Sequence, residues 1–80
     1  MATRLFVGNL ADSVTASVLY TLFKDVGRVE STNIVLDPAT NRSRGFGFVE
    51  MSSHDELEEA IETYDGWLLE GRPISVERAR

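Results

Sequence analysis

Residues 44–51 read Arg-Gly-Phe-Gly-Phe-Val-Glu-Met, and this stretch limits the fold more than any other. Its side chains alternate with period two, the repeat of an extended strand. Val49 and Met51 fall on one side, while Arg44, Phe46, Phe48 and Glu50 fall on the other. The aliphatic side suits a core. The other side then carries aromatic rings and charges into solvent, so the strand belongs to a sheet covered on one face only. Gly45 and Gly47 alternate with the rings and keep their inner side free of crowding.

The remaining elements follow from local signals. Residues 4–10, RLFVGNL, are short, apolar and end near a Gly-Asn, which predicts a first strand. From Thr15 the period changes: Leu19, Leu22, Phe23 and Val26 recur at helical spacing, Thr15 is a plausible N-cap and Gly27 a stop. Val18 and Tyr20 flank that stripe and are expected to widen it. Residues 29–36 are rich in β-branched side chains and bounded by Asp37-Pro38, so they predict a second strand, followed by a polar turn. Ser53 and Glu56 form a capping-box pattern. It opens a second helix whose buried face is Leu57, Ala60, Ile61 and Tyr64, and Asp65-Gly66 ends it. Trp67 is expected to pin the following loop against the core, and residues 73–78 predict a last strand with proline at its first position.

The order β-α-β-β-α-β within 80 residues predicts one domain over residues 1–80. Its class is α+β: a ferredoxin-like βαββαβ sandwich, a four-stranded antiparallel sheet with two helices on one face. By strand alternation Leu5 and Val7 face the helices, so Arg4 and Phe6 face out, as do Asn33 and Val35 on the second strand. Three phenylalanines, Phe6, Phe46 and Phe48, thus share an open surface on strands expected to be neighbours. Burying one such ring is worth about 1.5–3 kcal/mol, so a patch of three left exposed marks a binding surface.

The net charge of −5 argues against a nucleic-acid partner until the charges are located. Six of the thirteen acids lie between Asp55 and Asp65, a segment without Lys or Arg; elsewhere eight bases meet seven acids. The acidity therefore belongs to the second helix, on the covered side of the sheet. The open side carries Arg4 and Arg44, with Arg42, Arg78 and Arg80 near its edge. Rings flanked by guanidinium groups suit single-stranded nucleic acid: bases stack on the rings while the cations neutralise phosphates.

Residues 44–51 resemble the RNP1 octamer of the RNA recognition motif, K/R-G-F/Y-G/A-F-V-x-F/Y, and Leu5-Phe6-Val7-Gly8-Asn9-Leu10 resembles that family's RNP2 hexamer. The resemblance implies single-stranded RNA binding, in RNA processing or post-transcriptional regulation. It implies stacking on Phe6 and Phe46, packing of Phe48 on ribose or between nucleotides, and a phosphate at Arg44. It also implies base contacts from Ser75, Glu77 and the tail around Arg78 and Arg80, with Asn33 adding a polar contact. Met51 stands where the family prefers an aromatic; it points inward, so the departure belongs to the core.

Other functions fit less well. There is no cysteine and one histidine, His54, so neither a disulfide nor a metal site is expected, and no cofactor is implied. The same topology hosts acylphosphatases, which carry an arginine-bearing phosphate loop after the first strand; here that loop is Gly8-Asn9-Leu10-Ala11-Asp12, and no enzyme is expected. The alternative is a protein-interaction module using the helical face, the acidic second helix or the Trp67 loop. Relatives of that kind lack the surface rings and carry Arg-x-Phe before the last strand, a pattern missing from GWLLEGRPI. The expectation is a monomer inside the cell, with no membrane contact, that binds single-stranded RNA and in vitro single-stranded DNA.

Overall fold

A computed structural model describes residues 3–79. Strand β1 (Arg4–Gly8) leads to helix α1 (Ala16–Phe23), then the hairpin of β2 (Val29–Leu36) and β3 (Ser43–Met51). Helix α2 (His54–Tyr64) follows, then two short strands, β4 (Leu68–Leu69) and β5 (Arg72–Pro73), and finally β6 (Ser75–Arg78). The four long strands form one antiparallel sheet in the order β2-β3-β1-β6. This is the βαββαβ arrangement, with the two N-terminal-half and C-terminal-half units interleaved so that β1 and β3 lie in the middle.

Alternation sets the covered face. Leu5, Val7, Val49, Met51 and Val76 are fully or almost fully buried against Leu19 and Phe23 of α1 and Leu57, Ala60 and Tyr64 of α2. Leu22, Val26 and Ile61 only partly enter that core. Val18 does widen the α1 stripe, but Tyr20 does not: it is 47% exposed, and Lys24 Nζ sits 6.0 Å from its ring. Tyr64 packs its ring 5.1 Å from that of Phe23 and donates its hydroxyl to the Leu22 carbonyl at 2.9 Å, tying α2 to α1. Burial, and secondarily the Asp25 carboxylate, push its phenol pKa up.

Caps explain the helix ends. Thr15 accepts from the Val18 N–H and Ser53 from the Glu56 N–H. The capping box is only half formed, however. Instead of accepting from the Ser53 N–H, the Glu56 carboxylate accepts from the Ser52 hydroxyl, one residue before the cap, and from the Arg28 N–H. It thereby fastens α2 to the start of β2, and those hydrogen bonds hold its carboxyl below the ordinary carboxylate range, the one from Ser52 contributing most.

Pro73 does not open the last sheet strand. It closes a two-residue hairpin in which Leu68 faces Pro73 and Leu69 faces Arg72. Glu70 and Gly71 both have positive φ, 50° and 87°, as a type I′ turn requires. The Trp67-Leu68-Leu69 run therefore supplies one arm of this hairpin. Leu69 packs on the core, Leu68 stays exposed, and Trp67 rests edge-on against Tyr64 at 5.1 Å while remaining 46% exposed.

Candidate nucleic-acid interface

The strand registers place one outward residue from each strand in a single row across the sheet. Asn33 lies opposite Phe48, Phe48 opposite Phe6, and Phe6 opposite Glu77. Two of the three rings occupy the middle of that row, and Phe46 joins them two residues before Phe48 on β3. Phe6 and Phe46 stack at 5.6 Å between centroids, inclined by 29°; Phe48 meets both edge-on, at 5.9 Å and 6.2 Å. Distances of this size are those of stabilising aromatic pairs. The rings are consequently half-buried rather than fully exposed. Each covers part of its neighbours, so the sheet recovers some of the burial that an isolated surface ring forfeits.

Two glycines make the arrangement possible. The ring of Phe6 leans over Gly8, where a Cβ would stand 2.7 Å from Cε2. On the other face, a Cβ at Gly47 would overlap the carbonyl oxygen of Asn33, so β2 can approach β3 this closely only beside a bare Cα. Cations border the rings. The Arg4 guanidinium lies 4.3 Å from the centroid of Phe48, and that of Arg44 lies 5.8 Å from that of Phe46, both within cation–π reach. Arg4 is also directly opposite Glu50. The open face thus balances Arg4 and Arg44 against Glu50 and Glu77.

The remaining residues expected at the site scatter. Ser75 faces Gly8 at the edge of the patch. Arg42 lies in the β2–β3 turn, 3.5 Å from Asp12, with both side chains exposed. Arg78 departs from the expectation. It pairs with Leu5, an inward position, so alternation sends its side chain to the helical side, where it forms an ion pair with Glu58 of α2. Glu58 also receives His54 at 3.5 Å. Arg80 lies outside the described residues.

Sequence reasoning missed Asn9 and Arg72. Arg72 donates to the Asn9 side chain at 2.6 Å, and Asn9 donates to the Pro73 carbonyl at 2.8 Å, holding the β4–β5 hairpin against the end of β1. Together with Arg44 they line a polar depression of about 370 Å³ beside the rings. The Gly-Asn at the end of the first strand was the available signal, and Asn9 indeed takes a positive φ of 57°. A smaller depression of about 250 Å³ is bounded by Phe6, Phe48, Glu77, Arg78 and Ala79. A larger one, about 640 Å³, lies between β2 and the start of α1, away from the rings, and Asn33 and Arg42 are among the residues that line it. Base stacking uses flat ring faces and not deep cavities, so the rings and not that cavity define the candidate interface.

Comparisons with known proteins agree with this fold. The family model described as the RNA recognition motif matches residues 5–75. The chain is 48% identical over 73 residues to the chloroplastic RNA-binding protein CP29B of Arabidopsis thaliana, covering 91% of this chain and 25% of that protein. It spans about a quarter of the length of such relatives. Among solved structures, the RNA-binding protein PG1 superposes with a TM-score of 0.94 at 37% identity, covering 98% of this chain and 94% of that one. A Sxl-lethal protein/RNA complex superposes with a TM-score of 0.93 at 30% identity, covering all of this chain and 48% of that one.

Proposed function

The chain belongs to the RNA recognition motif family, and on that premise we propose that its open sheet face binds single-stranded RNA. The observation that carries this reading is the cluster of Phe6, Phe46 and Phe48 on the uncovered face, with guanidinium groups at its border. Phe6 and Phe46 offer stacking surfaces, Phe48 packs on ribose or between nucleotides, and Arg44 and Arg4 meet phosphates. Asn33, Ser75 and Glu77 stand beside the rings at positions able to reach base edges. Arg42 is a weaker candidate, since its partner Asp12 competes with any phosphate. Arg78 contributes through its backbone at the depression next to Phe6, its side chain being engaged by Glu58.

Three rings and two bordering arginines support a footprint of about two to four nucleotides, close to the two or three bases such a sheet stacks. Binding, not catalysis, is the role we assign: His54 sits on α2 against Glu58, on the side away from the rings. Inside the cell this module would act on RNA as one part of a larger protein, as the length of its relatives suggests. Single-stranded DNA would stack on the same rings, with only the 2′-hydroxyl to distinguish it.

The test is an NMR titration with short random single-stranded RNA. Amide shifts concentrated on β1 and β3 around Phe6, Phe46 and Phe48 are expected. Shifts that avoid those strands and collect at Trp67, Leu68 and α2 would instead indicate a different surface and abandon this reading.

A further inference from the structure

The row Asn33–Phe48–Phe6–Glu77 is asymmetric about Phe6. Toward β3 the ring meets Phe48, and toward Gly8 it meets Phe46, so its neighbours there are apolar. Toward β6 the next side chain is Glu77, directly opposite Phe6 on the adjoining strand. Directly opposed residues of antiparallel strands hold their Cβ atoms about 4.5–5.5 Å apart. Phe6, Phe48 and Glu77 also line one depression of about 250 Å³, together with Arg78 and Ala79. A base stacked on Phe6 and extending into that depression therefore presents an edge to the Glu77 carboxylate.

The carboxylate's chemistry is restrictive. Ionised, it accepts hydrogen bonds through two oxygens and donates none. Among the described residues no hydrogen bond or ion pair engages it, and the nearby cation that could have neutralised it, Arg78, is turned away to Glu58. Only a base edge with donors is compatible with it. Guanine offers two adjacent donors, N1–H and the N2 amino group, spaced to match the two oxygens of a carboxylate as a guanidinium fork does. Adenine and cytosine each offer one amino group beside a ring-nitrogen acceptor, whose lone pair opposes the second oxygen. Uracil offers a single N3–H between two carbonyl acceptors, the least favourable of the four.

We propose that Glu77 is a specificity-determining residue that selects guanine, through its Watson–Crick edge, for the base stacked on Phe6. The inference rests on the RNA-binding reading above and adds to it the identity of one base. Selection operates by donor matching on one side and by lone-pair repulsion on the other, the combination that discriminates most strongly.

The experiment uses four pentaribonucleotides, UUGUU, UUAUU, UUCUU and UUUUU, titrated into the protein with dissociation constants and amide shifts recorded. The guanine oligomer should bind about tenfold or more tighter than the uridine one, the scale of one good bidentate pair. Its complex should show the largest shifts at Phe6 and Glu77. Glu77→Gln, which replaces one acceptor by a donor, should shrink the guanine preference to less than about threefold. Glu77→Ala should do likewise, which guards against compensation by the glutamine amide. Equal binding of all four oligomers, with shifts at Phe6, would overturn the guanine assignment and leave RNA binding intact. A guanine preference that survives both substitutions would assign selectivity to the backbone and overturn the role of Glu77. Absence of binding by every oligomer would overturn both readings together.

Discussion

The ring of Phe6 rests across the bare Cα of Gly8, so closely that an added methyl group would stand 2.7 Å from Cε2 and 3.1 Å from Cζ. The stacking platform is thus shaped by a residue that offers no binding group of its own. Gly8→Ala should push the ring off this position and break its stack on Phe46. RNA affinity is then expected to fall by about 1–3 kcal/mol, the worth of one stacked base. Aromatic proton shifts of Phe6 in the free protein, with the dissociation constant, check this; a displaced ring with unchanged affinity would remove Phe6 from the interface.

Phe46 and Phe23 separate binding from folding. Phe46→Ala removes a half-buried ring from the open face and should weaken RNA binding by about 1–3 kcal/mol while the domain still folds. Phe23 is fully buried against Tyr64. Phe23→Ala should cost about 3–5 kcal/mol of stability, a large share of what a small domain possesses. Thermal melts beside RNA titrations distinguish the two, and a Phe46→Ala protein that unfolds would mean the rings are structural.

Arg44 on the open face and Arg78 on the helical side should behave differently in salt. Each phosphate neutralised on a single strand contributes about −0.7 to the slope of log K against log salt. Arg44→Ala should lower the slope's magnitude by about that amount. Arg78→Ala should leave it unaltered, because its guanidinium is engaged by Glu58 on the helical side. Loss of that partly exposed pair should also change stability little. Equal slopes for both variants would place Arg78 at the phosphates after all.

Glu56 carries an acid-dependent part of the fold. Its carboxyl is held low by the Ser52 hydroxyl and then by the Arg28 N–H, so the folded state binds a proton there less readily than the unfolded chain. Its stabilising contribution is complete above the ordinary glutamate range, about 4.3, and is lost as pH falls through the depressed value. Glu56→Gln should therefore lower the melting temperature at neutral pH, with the difference from wild type narrowing toward pH 3. A constant difference across that range would mean that the ionised form is not what those two donors recognise.

Much of this was legible in the chain because period-two alternation survives folding. Leu5, Val7, Val49 and Met51 turned inward and Phe6, Phe46 and Phe48 outward, as their spacing predicts. Where expectation and structure part, the cause is a longer-range partner. The parity of Val76 alone would have sent Arg78 to the helical side, but the choice among its acids belongs to Glu58, twenty residues earlier. The Ser53–Glu56 spacing signals a reciprocal cap, yet the carboxylate accepts from the Ser52 hydroxyl and the Arg28 N–H in place of the Ser53 N–H. Tyr20 shows a limit of helical periodicity: it flanks the apolar stripe in sequence, yet its side chain lies outside the buried face of α1. The hairpin behind Trp67 was hidden because its decisive feature is the positive φ of Glu70, a residue type that does not advertise it.

Asp65 ends α2, and its side chain also accepts the N–H of Val76 at 3.0 Å on the outer margin of β6. Just before that point, Ile74 donates to the Trp67 carbonyl and accepts from the Gly66 N–H. The margin that β6 would otherwise offer to a foreign strand is thus occupied at its first half by the chain's own backbone and one carboxylate. A foreign strand approaching this flank would meet groups that are already paired. Asp65→Ala would remove the acceptor of the Val76 N–H and leave that donor open to a foreign strand.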